Sequence, residues 1–262
     1  MDLNTIAQVC DAREFREWRP GDAWLGGGTY LFSEPQPHLR RLIDLSRIGW
    51  TPLRRLPDGG LEIAATCTVA ELFRSTEREL FRQCCHAFLA SFKIWNMATV
   101  GGNLCNALPA GPMISLTAAL DGVCLLQSPA GVRRRLPVLE FVTGAGENAL
   151  RDGELLRSIT LPAAALDRRT AFRQASLYGH GRSGVLIIGT RDRAGVLRLT
   201  ITASTTRPIR IRFHYRPGAD ELRSAVDHAV PEHMWFDDIH GLPRWRRQMT
   251  LLLAEQIRRE LV

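Results

Sequence analysis

Apolar positions along the chain come in short runs punctuated by glycine, proline and charge. Leu3, Ile6, Val9, Cys10 and Phe15 recur at helical intervals and predict an amphipathic helix over residues 3–18, closed by Arg19-Pro20-Gly21-Asp22. Ala23-Trp24-Leu25 then runs straight into Gly26-Gly27-Gly28-Thr29, the mark of a strand entering a tight backbone loop. Residues 42–45 and 61–65 read as strands, the second preceded by the turn Pro57-Asp58-Gly59-Gly60. A helix is predicted over residues 69–82, entered from Thr66 or Thr68. Ala98-Thr99-Val100 leads into a second glycine loop, Gly101-Gly102-Asn103, followed by a helix over 114–120, a strand over 123–127 and a further element opening at 137–141.

Beyond Pro162 the pattern changes. Asp167-Arg168-Arg169 reads as a linker. Residues 184–190 and 196–203 read as strands of a hairpin turned by Arg191-Asp192-Arg193-Ala194-Gly195. Helices over 219–229 and 244–261 end the chain, the last with Trp245, Met249, Leu252, Leu253 and Ile257 on one face and arginines on the other. The fold class is therefore α+β, with one domain over residues 1–165 and a smaller one over 170–262.

Composition narrows the class. The 262 residues are 45% hydrophobic and 23% charged, with a formal charge of +7, which describes a globular chain and not a disordered one. The longest apolar run, near residues 116–126, is broken by Asp121 and is too short to span a bilayer. No basic segment followed by an apolar one opens the chain, so no secretory signal is expected. Lys93 is the sole lysine; the arginines are scattered, as in a GC-rich genome, and form no nucleic-acid stripe. None of the cysteines, at 10, 67, 84, 85, 105 and 124, forms a C-x-x-C pair, so zinc or iron–sulfur ligation is not expected and a reduced, cytoplasmic protein is.

The two glycine loops are the candidate chemistry. Bare backbone N–H groups in a glycine-rich turn form a concavity for phosphate, and two such loops in one domain could grip a diphosphate from both sides. Gly179-His180-Gly181-Arg182-Ser183-Gly184 matches G-x-G-x-x-G but precedes a strand-like run, so it reads as a loop and not a dinucleotide site. His228, His233, Asp237, Asp238 and His240 lack metal-site spacing and read as surface. Glu140, Glu147 and Glu154 read as solvated carboxylates. No residue set suits nucleophilic or acid–base catalysis, so neither catalytic nor metal residues are assigned.

The flanks of the glycine loops carry a resemblance. Gly26-Gly27-Gly28-Thr29-Tyr30-Leu31, Leu42-Ile43-Asp44-Leu45-Ser46, Ile63-Ala64-Ala65-Thr66-Cys67-Thr68, Ala98-Thr99-Val100-Gly101-Gly102-Asn103-Leu104 and Gly153-Glu154-Leu155-Leu156-Arg157-Ser158-Ile159 stand in the order found in the FAD-binding medium subunits of molybdenum hydroxylases. That group includes xanthine dehydrogenase and carbon monoxide dehydrogenase. Later segments resemble the same family: Ala171-Phe172-Arg173-Gln174-Ala175-Ser176, Pro208-Ile209-Arg210 and Arg244-Trp245-Arg246-Arg247.

The resemblance implies a FAD-binding domain of the molybdopterin dehydrogenase (PCMH/VAO-like) type with two subdomains. An α+β domain of the CO dehydrogenase flavoprotein type, with an antiparallel sheet and C-terminal helices, would follow it. It implies that Trp24, Leu25, Gly26, Gly27, Gly28, Thr29, Tyr30 and Leu31, with Thr99, Val100, Gly101, Gly102 and Asn103, contact FAD, and that Leu156 and Arg173 lie near the flavin ring. It further implies an oxidoreductase subunit: electrons would come from a molybdopterin-binding large subunit through a [2Fe–2S] small subunit to FAD, then to NAD, O2 or another acceptor. Three positions depart from the family: Pro112 stands where an aspartate is usual, Arg173 where a lysine is usual, and Ser204-Thr205 where a Gly-Gly pair is common. The alternatives are a stand-alone flavoprotein oxidase and a structural or docking subunit with weakened FAD binding. Trp95 and the arginines at 246, 247, 258 and 259 are candidates for an exposed docking face.

Overall fold

The computed structural model describes residues 5–179 and 181–262. Strands β1 (Gln8–Asp11), β2 (Asp22–Leu25) and β3 (Arg41–Asp44) form a small parallel sheet in the order β1-β3-β2. The chain then lays down β4 (Leu53–Arg55) and β5 (Leu61–Ala64). Helices α1 (Val69–Arg74), α2 (Glu79–His86), α3 (Phe92–Met97), α4 (Val100–Asn106) and α5 (Pro112–Ala119) follow. Strands β6 (Val123–Gln127) and β7 (Arg133–Pro137), helix α6 (Val138–Phe141), the hairpin β8 (Val142–Gly144) and β9 (Glu147–Asn148), and β10 (Leu155–Leu161) complete the first unit. Its second sheet is antiparallel, in the order β4-β5-β10-β6-β7.

After α7 (Ala163–Leu166), β11 (Arg169–Ala175), β12 (Val185–Arg191), β13 (Leu197–Thr202) and β14 (Ile209–Phe213) build an antiparallel meander. Helix α8 (Ala219–Ala229), a 3-10 turn and α9 (Pro243–Leu261) close the chain. The meander is covered on both faces. Leu186 and Ile188 of β12 enter the core shared with the first unit, while Val185 and Ile187 enter the core beneath α8 and α9. Every residue of α5 is buried, as expected of a helix with no polar face, because it packs between the first unit and β12–β13.

Two sequence expectations fail here for identifiable reasons. No helix forms over the described part of residues 3–18; residues 1–4 lie outside the described residues. Residues 8–11 instead pair with β3, through Val9↔Leu42 and Cys10↔Ile43, and Val9 is 60% exposed, so its helical spacing was coincidental. The helix over 69–82 is two. Thr68 and Glu71 form a reciprocal capping box that starts α1, and extended backbone at Arg78 separates it from α2. The 191–195 hairpin and the helix over 219–229 form as expected.

Candidate functional site

The first glycine segment leaves β2 and turns sharply. Gly28 has φ +69°, which favours glycine, and a Cβ there would sit 2.6 Å from the ring of Phe32, which would have to move. Phe32 N–H closes the turn onto Gly28 O at 2.8 Å. Along residues 26–31, by contrast, no backbone N–H has a hydrogen-bond acceptor among the described residues. The run is half-buried except at exposed Tyr30, and its free donors are available to a ligand that accepts hydrogen bonds.

The second glycine segment is not a loop but the first turn of α4. Thr99 is its N-cap: Gly102 N–H donates to Thr99 Oγ1 at 3.0 Å. Val100 N–H donates to Cys67 O, Gly101 N–H to Ala65 O and Asn103 N–H to Thr99 O. Gly101 lies flat against Ala65, where an added Cβ would approach within 2.4 Å. Asn103 Oδ1 accepts from Met113 N–H at 3.1 Å, which ties α4 to α5. All four leading N–H groups of this turn are therefore spent inside the protein.

The two segments meet. A Cβ on Gly26 would lie 3.2 Å from Thr99 Oγ1, and one on Gly27 would fall 1.6 Å from Met97 O. Between them opens a cleft of 260 Å³ that also touches Ser46, Trp50 and Thr68. Ile48 and Trp50 separate it from a second cleft of 310 Å³ walled by Phe15, Trp24, Trp50, Arg133 and Arg157. Trp24 is fixed by an indole N–H to Gly153 O at 3.0 Å and by stacking on Trp18. The Arg157 guanidinium lies 3.9 Å from the Trp50 ring centroid, and burial there lowers its pKa. Trp50 and Arg157 were not found from sequence. The signal for Arg157 is a register shift in β10 between Leu156 and Ser158, which only pairing reveals.

Leu156 and Arg173 are placed elsewhere. Leu156 is 2% exposed and sits in the core, while its neighbours Leu155 and Arg157 face the second cleft. Arg173 lies on the α9 side of the meander, held by Glu260 at 2.6 Å and Gln256 at 3.1 Å. Pro112 is the buried first residue of α5 and offers no side-chain acceptor.

Three further expectations are corrected. Trp95 is not an exposed docking side chain: it packs on Phe73 and His86, with its indole N–H buried. Arg246 is 1% exposed and pins three carbonyls, Gly184 and Ala203 through Nη1 and Gly241 through Nε, besides pairing with Asp238. Glu154 is a buried, bidentate partner of Arg134 and not a solvated carboxylate; that hydrogen bonding, first of all, lowers its pKa. Burial raises the thiols of Cys67, Cys84 and Cys124, and pushes those of Cys85 and Cys105 up to about 12. Among the described residues, no three His, Cys, Asp or Glu side chains are placed to hold a metal, and no helix is long and apolar enough to cross a membrane. His180, part of the G-x-G-x-x-G match, lies outside the described residues.

A diphosphate fits the first segment: it would satisfy donors that nothing else does, on a surface kept free of side chains by glycine. Residues 4–164 match the family described as the FAD binding domain in molybdopterin dehydrogenase, and the chain belongs to that family. It is 30% identical over 165 residues to the xanthine dehydrogenase FAD-binding subunit of Escherichia coli O157:H7, covering 60% of this chain and 56% of that one. It is 33% identical over 149 residues to caffeine dehydrogenase subunit beta of Pseudomonas sp. (strain CBB1), covering 55% and 49%. The matched region thus spans about half the length of these relatives. In fold it is similar to a chain of the reconstituted CO dehydrogenase from Oligotropha carboxidovorans, with a TM-score of 0.79 at 20% identity over 98% of this chain and 97% of that one.

Proposed function

We propose that this chain holds FAD non-covalently and serves as the flavin-bearing electron-transfer subunit of a molybdenum-containing hydroxylase. One observation carries the reading: the run of unspent N–H donors over residues 26–31, which begins at Gly26 and Gly27 in the cleft wall beside Thr99, the cap of α4. Backbone from Gly26 to Leu31 would take the diphosphate. Thr99 would form the opposing wall, with Val100, Gly101 and Gly102 behind it in the first turn of α4, contributing a helix N-terminal dipole in place of hydrogen bonds. Trp24, Leu25, Trp50 and Arg157 would line the path beyond. Leu156 and Arg173 act indirectly in this reading, one by packing behind β10 and the other by bracing β11 on α9.

Bound FAD supplies the redox chemistry; the protein supplies binding, orientation and insulation from water. The partners would be a [2Fe–2S] small subunit and a molybdopterin-binding large subunit, with NAD, O2 or another terminal acceptor downstream. The names of the relatives support this, since both are dehydrogenase subunits. A second reading, a docking subunit with weakened FAD affinity, is favoured by Pro112, which leaves the start of α5 without a carboxylate.

Expression with the adjoining genes tests both. The expected product is one complex carrying acid-releasable flavin, iron–sulfur clusters and molybdenum, in which substrate bleaches the flavin spectrum. A colourless chain in an otherwise active complex would support the docking reading, and a lone monomer oxidising a small substrate would overturn both.

A further inference from the structure

The seam between α5 and the C-terminal meander holds a second unsatisfied cluster, remote in sequence from the glycine segments. On the α5-facing side of the meander, Thr200 stands opposite Arg210, and Thr190 opposite Arg198. Thr190 and Thr200 are therefore diagonal neighbours on one face, with Cα atoms about 7–8 Å apart. Asp121, one residue beyond the α5 C-cap, reaches this face and accepts from both Arg168 and Arg210, while Arg210 also donates to Ala118 O. Arg198 is paired with Asp192.

The cluster has more donors and more positive charge than its own acceptors can satisfy. Among the described residues, Arg168, Arg198 and Arg210 form ion pairs with Asp121 and Asp192 alone, three cations to two carboxylates. The Arg168 side chain is only 8% exposed and the Thr190 and Thr200 residues only 1% each. Arg168 Nε and Nη1, Arg210 Nε, Thr190 Oγ1 and Thr200 Oγ1 are buried with no hydrogen-bond partner among the described residues. Guanidinium groups donate and never accept, and an unpaired buried charge is costly. Burial, the largest influence on Arg210, works against its charge; Asp121 opposes that effect, Arg168 and Arg198 add to it, and the net pKa is lowered. A group that accepts several hydrogen bonds and carries one negative charge would relieve all of these at once; a water molecule supplies no charge and must place its own protons.

We propose that this seam binds a chloride-sized anion, which accepts N–H from Arg168 and Arg210 and O–H from Thr190 and Thr200. The anion is small because none of these residues lines either cleft described above, and α5 closes the site from the other side. It would brace the seam, since two of its ligands, Arg168 and Arg210, are also held by Asp121 at the end of α5. The site is independent of the FAD reading.

The test uses the full chain. Crystals grown in sodium bromide should give an anomalous peak between these four side chains. Melting temperature should rise saturably with chloride at constant ionic strength against gluconate. Thr200→Val should raise the chloride concentration for half-effect about fivefold or more while leaving the melting temperature in gluconate within a degree or two. The absence of a bromide peak, or equal melting temperatures in chloride and gluconate for the unaltered protein, would overturn the proposal.

Discussion

The two glycine segments are nearly alike in composition and opposite in what their backbones do. Residues 26–31 leave every N–H unspent, whereas the turn opening at Thr99 commits each of its N–H groups to Thr99, Ala65 or Cys67. In the first, glycine supplies donors and, at Gly28, a positive φ; in the second, it supplies closeness, letting α4 lie against Ala65, a use that Gly27 of the first segment shares where it lies against Met97. A glycine pair beside a cleft thus has two distinct uses, reaching a ligand or letting two elements touch. Only the hydrogen-bond ledger separates them.

The largest effect should come where these uses coincide. Gly27→Ala would drive a Cβ to 1.6 Å from Met97 O, so the first loop must leave the α3–α4 junction. Flavin content of the purified protein should fall at least tenfold. Gly101→Ala, pressed on Ala65, should instead cost stability by about 1–3 kcal/mol in chemical denaturation, with flavin affinity reduced less than in Gly27→Ala. Equal losses of flavin in the two variants would break the distinction.

Next in size is the acceptor missing at the start of α5. Pro112→Asp should tighten FAD binding, because a carboxylate accepting from a ribose hydroxyl contributes on the order of 1.5–3 kcal/mol, or roughly tenfold and more in the dissociation constant. Flavin fluorescence titration reads this directly, and an unchanged constant would mean that the ligand does not reach α5.

Much of this contrast was legible in the sequence, and the illegible part has a physical cause. The segments, their order and their proximity could be read from local motifs, as could the strand at 123–127 and the helix at 219–229, whose apolar spacing is unambiguous. The direction of an N–H could not, because Thr99 capping Gly102 depends on extended backbone at Thr99 that the same residues need not adopt. Strand β10 was legible as a motif but not as the centre of a sheet, since its partners β5 and β6 are remote in sequence. Arg246 looked like a solvated helix residue because side-chain type, not environment, is what a sequence displays; its burial depends on carbonyls of Gly184, Ala203 and Gly241.

A smaller change sharpens the second region alone. Thr99→Ala removes the cap of α4 and should destabilise the protein by about 1 kcal/mol, as N-cap removals do. Thr99 lines the cleft but Gly102, whose N–H it frees, does not, so flavin affinity should stay within about threefold. A loss as large as that in Gly27→Ala would show that Thr99 itself holds the ligand.

The smallest effect is one of pH, and it should be confined to the first region. Trp24, at the entry to the first glycine segment, donates to Gly153 O, and Glu154 beside it accepts from Arg134 and from Arg151 N–H. The Arg134 hydrogen bonds hold the Glu154 carboxyl below its ordinary value, against the opposing pull of burial. The sign follows from linkage: a carboxyl depressed in the folded state adds stability fully above its unfolded pKa, and that contribution is lost as pH falls through the lowered folded value. Acidification from pH 7 to about 3 should therefore loosen the 149–154 loop and Trp24 with it. No titratable side chain caps α4, where Thr99 does the work, so its first turn should not respond. Hydrogen exchange, sampled by pH pulse and corrected for intrinsic rates, should show protection falling around residues 151–154 while Gly102 stays protected. In Glu154→Gln the acid-induced part of that loss should vanish, with the loop already looser at pH 7. A parallel loss of protection at Gly102 in the unaltered protein would mean that the two segments respond as one unit.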